Sequence, residues 1–353
     1  KLLKSWLRKR AALVVVEGAN SEEMELCDMV YQGTVLGPML WNIFFEDSRH
    51  AINNAGFEEI VYADDLNADK AYDSKVDSKT IMKDIDACQV ELHKWGRANS
   101  VTFDARKESK HILSRHRPYG DNFEILGIEF DCKLLMNDAV NALYGDCRWK
   151  LRSILRTHRF MTGDQLIDIY KSRLLGFMEY RTPGIYHACD SSLGELDKIQ
   201  EELLEAACVS ERDALLKFNL APLSARRDIA LLGLVHRTML GLGPVQFQEY
   251  FKLDRGVTRG KHAWQLVEYA NDVSDFLYPG SEPAEYIQRS ILGVARIYNR
   301  LPAEIVMNSG TVAVFQGKLQ CLLKVMAADD EPCWRSLFSS RVPMHRHPLR
   351  HVA

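Results

Sequence analysis

The sequence predicts an α+β chain in which strands and helices mix up to about residue 132 and the remainder is almost wholly helical. The first observation behind this is a change in hydrophobic periodicity. Before that point, short β-branched runs bounded by Gly, Asn and Asp alternate with helical stripes; after it, apolar residues recur at helical spacing. The second is composition: 46% of the 353 residues are apolar, enough to bury a core. Together with a Gly-Leu-Gly-Pro break at 241–244, these give three expected regions, 1–132, 133–243 and 244–353, the last ending in a flexible basic tail that carries His345, His347 and His351.

Taken in order, Lys1 to Arg10 carries five positive charges, and Leu2, Leu3, Trp6 and Leu7 fall near helical spacing. Ala12 to Glu17 is β-branched and apolar, and Gly18 and Asn20 after it predict a hairpin. Leu36 to Asn54 reads as one helix, with Pro38 tolerated in its first turn. Glu59–Tyr62 and Leu66–Lys70 read as strands around the turn-forming pair Asp64-Asp65. Ser78 is the expected cap of a long helix burying Ile81, Ile85, Cys88, Leu92 and Trp95. Strand-like pieces follow at Val101–Asp104, His111–Ser114 and Glu124–Phe130.

Helices are then expected over Asn137–Arg159, from the capping box Thr162-Gly-Asp-Gln165 to just before Pro183, and over Leu193–Cys208 and Ser224–Leu240. The second of these should bury Leu166, Tyr170, Leu174 and Phe177.

Composition narrows the function classes. The formal net charge is -3, so a nucleic-acid partner would have to meet local rather than global basic charge. Eight cysteines without CxxC pairs argue against a disulfide framework or zinc ribbon and for reduced, intracellular thiols, in nucleus or cytoplasm. His187 and Cys189 lack further ligands. No apolar run reaches the length of a membrane span.

Chemistry concentrates in a few places. Tyr62-Ala63-Asp64-Asp65 lies between two short strands, where adjacent carboxylates can hold Mg²⁺, a hard cation that prefers oxygen ligands. An Asp-Asp pair alone is most often an acidic turn. Some thirty residues upstream stands Gln32-Gly33-Thr34-Val35-Leu36-Gly37-Pro38, whose glycine permits close backbone approach and whose glutamine offers donor and acceptor. Between Arg148 and Arg159 there are five Lys or Arg and no acid. Arg148, Arg152, Arg156 and Arg159 share one helical face that could track phosphates, or could simply be solvated. Arg106 to Arg117 holds a second cluster, five basic residues against one Glu.

The glutamine-glycine segment followed by Tyr-Ala-Asp-Asp, in this order and spacing, resembles the reverse transcriptases of non-LTR retrotransposons. Trp95, Val101-Thr102-Phe103 with Arg106-Lys107, and Leu126-Gly127-Ile128 continue the resemblance, as do Tyr170-Lys171-Ser172-Arg173 with Met178-Glu179-Tyr180, and Asn299-Arg300-Leu301-Pro302.

The resemblance implies a partial polymerase palm, an antiparallel sheet with helices, followed by an all-helical thumb and C-terminal region. It implies an RNA-directed DNA polymerase that uses two Mg²⁺ ions, held in part by Asp64 and Asp65, with Lys107 as general acid for pyrophosphate. Gln32, Gly33 and Tyr62 would face the incoming deoxynucleotide, and Leu126 and Gly127 would grip the primer end. The partners implied are an RNA template, a DNA primer and deoxynucleoside triphosphates, with no membrane.

Two departures temper this. Tyr31 stands where the family usually has proline. The family's bridging carboxylate belongs upstream of the glutamine-glycine motif, and the chain begins at Lys1, just too late for it, as a fragment would. Two adjacent aspartates do not by themselves order two Mg²⁺ ions, each of which demands an octahedral shell. The chain is therefore expected to be inactive alone, and a catalytically dead nucleic-acid-binding or scaffold remnant of such an element is the alternative reading.

Overall fold

The computed structural model describes residues 8, 10–26, 33–256, 261–269 and 287–350. Gln32 and Tyr31 lie outside them, as does the candidate helix Lys1 to Arg10 apart from Arg8 and Arg10. The chain is mixed α and β, 53% helical with 10% in short antiparallel strands. It divides into two compact units, Lys1–Asp121 and Asn122–Ala353.

The first unit opens with two nested ladders. β1 (Arg10–Ala12) pairs with β4 (Met24–Leu26), and β2 (Val15–Val16) with β3 (Ala19–Asn20). Glu17 and Gly18 both have positive φ, 50° and 84°, the two-residue turn that matches strand twist. The region read as one helix is two, α1 (Gly37–Phe45) and α2 (Ser48–Asn54). At the break, Ser48 Oγ lies 2.7 Å from the Phe45 carbonyl and 2.6 Å from Glu59 Oε1, two acceptors that share its one hydrogen, and the local bond to Phe45 competes with the helical ladder.

β5 (Glu58–Tyr62) and β6 (Asp65–Asp69) form the next hairpin. α3 (Ser78–Ala98) follows, capped not by Ser78 but by Asp77, whose carboxylate accepts from the Lys79 and Thr80 amides. Ile52, Phe57 and Cys88 make the small core, with Leu66, Ile85 and Leu92 packed against it. Val101–Asp104 forms no strand, and His111–Ser114 contributes only the bridge Ile112↔Tyr119.

In the second unit the strand read over Glu124–Phe130 is a hairpin, β7 (Phe123–Ile125) with β8 (Ile128–Phe130). Among the described residues every ladder is two-stranded, so the antiparallel strands do not join into one sheet. Helices then take over. They are α4 (Asn137–Leu155), α5 (Gly163–Tyr170), a π turn at Lys171–Leu175, α6 (Gly176–Tyr180), α7 (Thr182–Ile185), α8 (Asp190–Ala206) and α9 (Glu211–Phe218). The capping box at Thr162 forms as expected, with both reciprocal bonds present.

α4 and α8 pack along their length, burying Val140, Leu143, Leu151, Ile199 and Leu203. Each such side chain contributes roughly 1.5–3 kcal/mol relative to exposure. Phe177, expected inside, is only half-buried.

α10 (Leu223–Met239) leads past the loop at 241–244 and the short α11 (Phe247–Tyr250) into α12 (Ile291–Tyr298), α13 (Ala303–Val306) and α14 (Val312–Ala328). Leu231, Leu232 and Val235 of α10 share one apolar cluster with Val294, Phe315, Leu319 and Leu323, so the residues flanking that loop belong to one core. The tail expected to be flexible is folded through Arg350. His347 and Leu349 are fully buried, because the His347 ring has a carbonyl to bond and Leu349 has an apolar cluster to join. Among the described residues no helix is long and apolar enough to cross a membrane.

Candidate functional site

In the first unit Asp64 and Asp65 stand at the tip of the β5–β6 hairpin. Tyr62 pairs with Asp65 across the ladder, leaving Ala63 and Asp64 as a two-residue loop. Ala63 sits at φ 56°, a left-handed conformation that costs a non-glycine residue about 1–2 kcal/mol. The loop is held from outside: Trp41 Nε1 on α1 donates to the Ala63 carbonyl at 2.7 Å. Trp41 stacks on Phe45 at 5.0 Å, and Phe45 meets Trp95 of α3 edge-on at 5.5 Å. Trp95 Nε1 in turn donates to Asp47 Oδ2 at 3.3 Å. An aromatic stack shared by two helices therefore props the acidic tip.

Both carboxylates and the Tyr62 ring are exposed, so the tip presents hard oxygen ligands to solvent. Among the described residues no group of three or more His, Cys, Asp or Glu side chains comes together that could hold a metal ion. Asp64 and Asp65 thus supply two adjacent carboxylates and no closed cage. Gly33 has φ 80° and open space around it, a backbone that a side chain would strain. Lys107 lies in an exposed turn, where its amide donates to the Asp104 carbonyl at 2.8 Å. Its side chain makes no hydrogen bond or ion pair with Asp64 or Asp65.

In the second unit Leu126 and Gly127 form the two-residue turn of the β7–β8 hairpin, at φ 49° and 77°. Both turn carbonyls are engaged. Tyr180 Oη donates to that of Leu126 at 2.7 Å, and Arg181 Nε to that of Gly127 at 3.2 Å. Gly184 makes the close approach possible: a Cβ there would lie 2.9 Å from Ile128 Cγ2. The tip is pinned to α6 and α7, leaving the Leu126 side chain 40% exposed.

Of the four arginines, Arg148 and Arg152 lie on α4, Arg156 caps its C-terminus, and Arg159 falls in a following 3₁₀ turn, His158–Phe160. The helix thus ends before the expected Arg159, but all four side chains are exposed. Arg148 leans over the Tyr144 ring at 5.8 Å, and Lys150 turns away to the Phe177 ring at 4.8 Å. Basic residues at a helix C-terminus also favour its dipole, which accounts for part of their placement. Trp41, Tyr180 and Arg181 were not assigned these roles from sequence. Each acts on a backbone carbonyl twenty or more residues away, which no local pattern encodes.

Comparison of the chain with models of protein families, with curated proteins and with solved structures finds no match.

Proposed function

We propose that this chain is the palm and thumb portion of a reverse transcriptase of the non-LTR retrotransposon type, acting on a DNA primer paired to an RNA template. The observation that carries the reading is the β5–β6 hairpin, with Asp64 in its two-residue loop and Asp65 directly after it, both exposed, and Trp41 supporting the loop. Two oxygen ligands at a braced turn suit a Mg²⁺ ion that also binds the phosphates of a nucleotide. Asp64 and Asp65 hold the metal, Tyr62 and Gly33 border the nucleotide, and Leu126 with Gly127 meets the primer end. Lys107 is assigned to protonating pyrophosphate from the resemblance of its segment alone.

Because no third carboxylate joins the pair among the described residues, the ion would keep most of its shell as water. Two-metal chemistry by this chain alone is therefore not expected. Iron-directed cleavage is the first test. With Fe²⁺ in place of Mg²⁺, hydrogen peroxide as oxidant and ascorbate to recycle the iron, backbone cuts are expected near residues 62–66 and lost in Asp64→Asn. Primer extension on an RNA template is expected to give no processive product. Absence of the directed cuts would remove the metal assignment. Processive extension abolished by Asp64→Asn would remove the claim of inactivity.

A second reading is favoured by the same two-carboxylate geometry together with the four exposed arginines. In it the chain is a nucleic-acid-binding or scaffold protein without chemistry. Salt-dependent binding to an RNA–DNA duplex, with neither directed cleavage nor incorporation, selects it.

A further inference from the structure

We propose that the basic face at the C-terminal end of α4 is a single-strand platform, where bases of unpaired nucleic acid stack on Trp149 and Phe160 on either side of phosphates held by Arg152 and Arg156. The inference deepens the nucleic-acid reading above and rests on it. At helical spacing Arg148, Trp149, Arg152 and Arg156 fall within an arc of about 100°. All four are exposed, Trp149 at 69%, and Phe160 beyond the helix end is 82% exposed.

Two large aromatic rings in water among four cations, with no acid from Arg148 to Arg159, is a composition of its own. Isolated exposed apolar residues are ordinary, but these two alternate along the chain with positive charge alone. Arg152 and Arg156 stand one helical turn apart, a rise of about 6 Å, which lets them reach successive phosphates of an extended strand. Trp149 precedes Arg152 by three residues, and Phe160 follows Arg159 directly, so a ring lies at each end of the phosphate contacts.

The arginines alone would grip a duplex or a single strand equally, since phosphate contacts carry charge and little shape. The rings break that equivalence. A duplex keeps its base faces stacked inside, whereas an unpaired strand can offer a face to an indole or phenyl ring. The α4 carbonyl end carries negative partial charge, which opposes a phosphate there, and Arg156 and Arg159 offset it.

The experiment uses the 353-residue chain with labelled oligo(dT), oligo(rU) and a blunt DNA duplex of equal length, read by anisotropy across a salt series. Trp149→Ala is expected to weaken single-strand binding roughly tenfold, of DNA, RNA or both, and to leave duplex affinity within about twofold. Trp149→Phe should restore most of the loss, and Phe160→Ala, at a still more exposed position, should repeat it. Arg152→Ala should weaken both probe types and lower the salt slope by about one.

Equal losses on duplex and single strand, or no loss from either ring deletion, overturn the platform and leave the broader nucleic-acid reading standing. Failure of every probe to bind overturns both. A concentration-dependent dimer that Trp149→Ala abolishes, with oligonucleotide affinity unchanged, assigns the face to a second copy of the chain and overturns the proposal.

Discussion

A single indole nitrogen decides how well the acidic tip is held. Ala63 takes a left-handed φ that its side chain does not favour, and the Trp41 bond to its carbonyl helps offset that strain. Trp41→Phe keeps the ring stack on Phe45 and removes only the donor. We expect it to lower stability by about 1 kcal/mol, the net worth of one hydrogen bond. Amide exchange at residues 62–66 should quicken while that of α4 stays unchanged. Unchanged exchange at the tip would mean the hairpin holds its turn unaided. The two aspartates were legible in the sequence because a turn-forming acidic pair between two short strands is a local pattern. Trp41 was not, since its partner is fixed by how α1 packs beside the hairpin.

At the scale of elements, legibility followed how local the determinants are. The Thr162 capping box closes within four residues and formed as read, with Gln165 Oε1 accepting from the Thr162 amide at 3.0 Å. The cap of α3 moved by one residue because Asp77 and Ser78 are both competent, and the Asp77 carboxylate accepts from two amides. The long helix read over Leu36–Asn54 failed at Glu46–Asp47, where Ser48 bonds back to Phe45. Its apolar stripe runs on across that break, so periodicity alone could not find it. Val101–Asp104 is extended in sequence character but has no strand partner, and a strand needs one.

The β7–β8 hairpin yields a prediction at this scale. Its turn needs positive φ twice and favours Asn-Gly, yet the sequence places Leu126 before Gly127. Leu126→Asn should raise stability by about 1 kcal/mol in urea denaturation, with the Tyr180 bond to the backbone retained. If the exposed leucine serves the primer end, the same variant should weaken primer–template binding. A variant less stable than the parent would show that the Leu126 side chain packs more than its exposure implies.

For the whole molecule, the C-terminal core holds its polar groups in a way that sets how stability responds to pH. His236, His262 and His347 are buried, and burial pushes all three below the usual histidine value, His347 to about 4. His347 shows why: Nε2 donates to the Ser339 carbonyl at 3.1 Å, while Nδ1 accepts the Leu349 amide at 3.3 Å, leaving no room for a second proton. Sequence marked His347 only as one of several basic residues near the end, because burial of that stretch depends on a core assembled from α10, α12 and α14.

Asp228 works in the opposite direction. Burial raises its carboxyl to about 7, against the bond that Tyr186 donates at 2.8 Å and the charges of Arg227 and Arg341. A histidine whose folded value is depressed contributes stability above its unfolded value, near 6.5, and loses it as pH falls through the folded value. For His347 that window runs from about 6.5 to about 4 and is worth on the order of 3 kcal/mol. A carboxyl whose folded value is raised contributes stability below its unfolded value, near 3.9, and loses it as pH rises through about 7. Between pH 6.5 and 4.5, acidification therefore weakens the core through the histidines and strengthens it through Asp228.

Asp228→Asn removes the second contribution and keeps an acceptor for Tyr186. Each proton is worth about 1.4 kcal/mol per pH unit, so the variant should lose stability on acidification more steeply than the parent by about that amount. Above pH 7.5 the variant should be the more stable of the two, since it no longer buries a carboxylate. Urea denaturation at half-unit steps from pH 4.5 to 8.5 reads both slopes. Parallel slopes would mean that Arg227 and Arg341 keep Asp228 ionised throughout, making the Tyr186–Asp228 contact a charge-assisted bond rather than a protonated one.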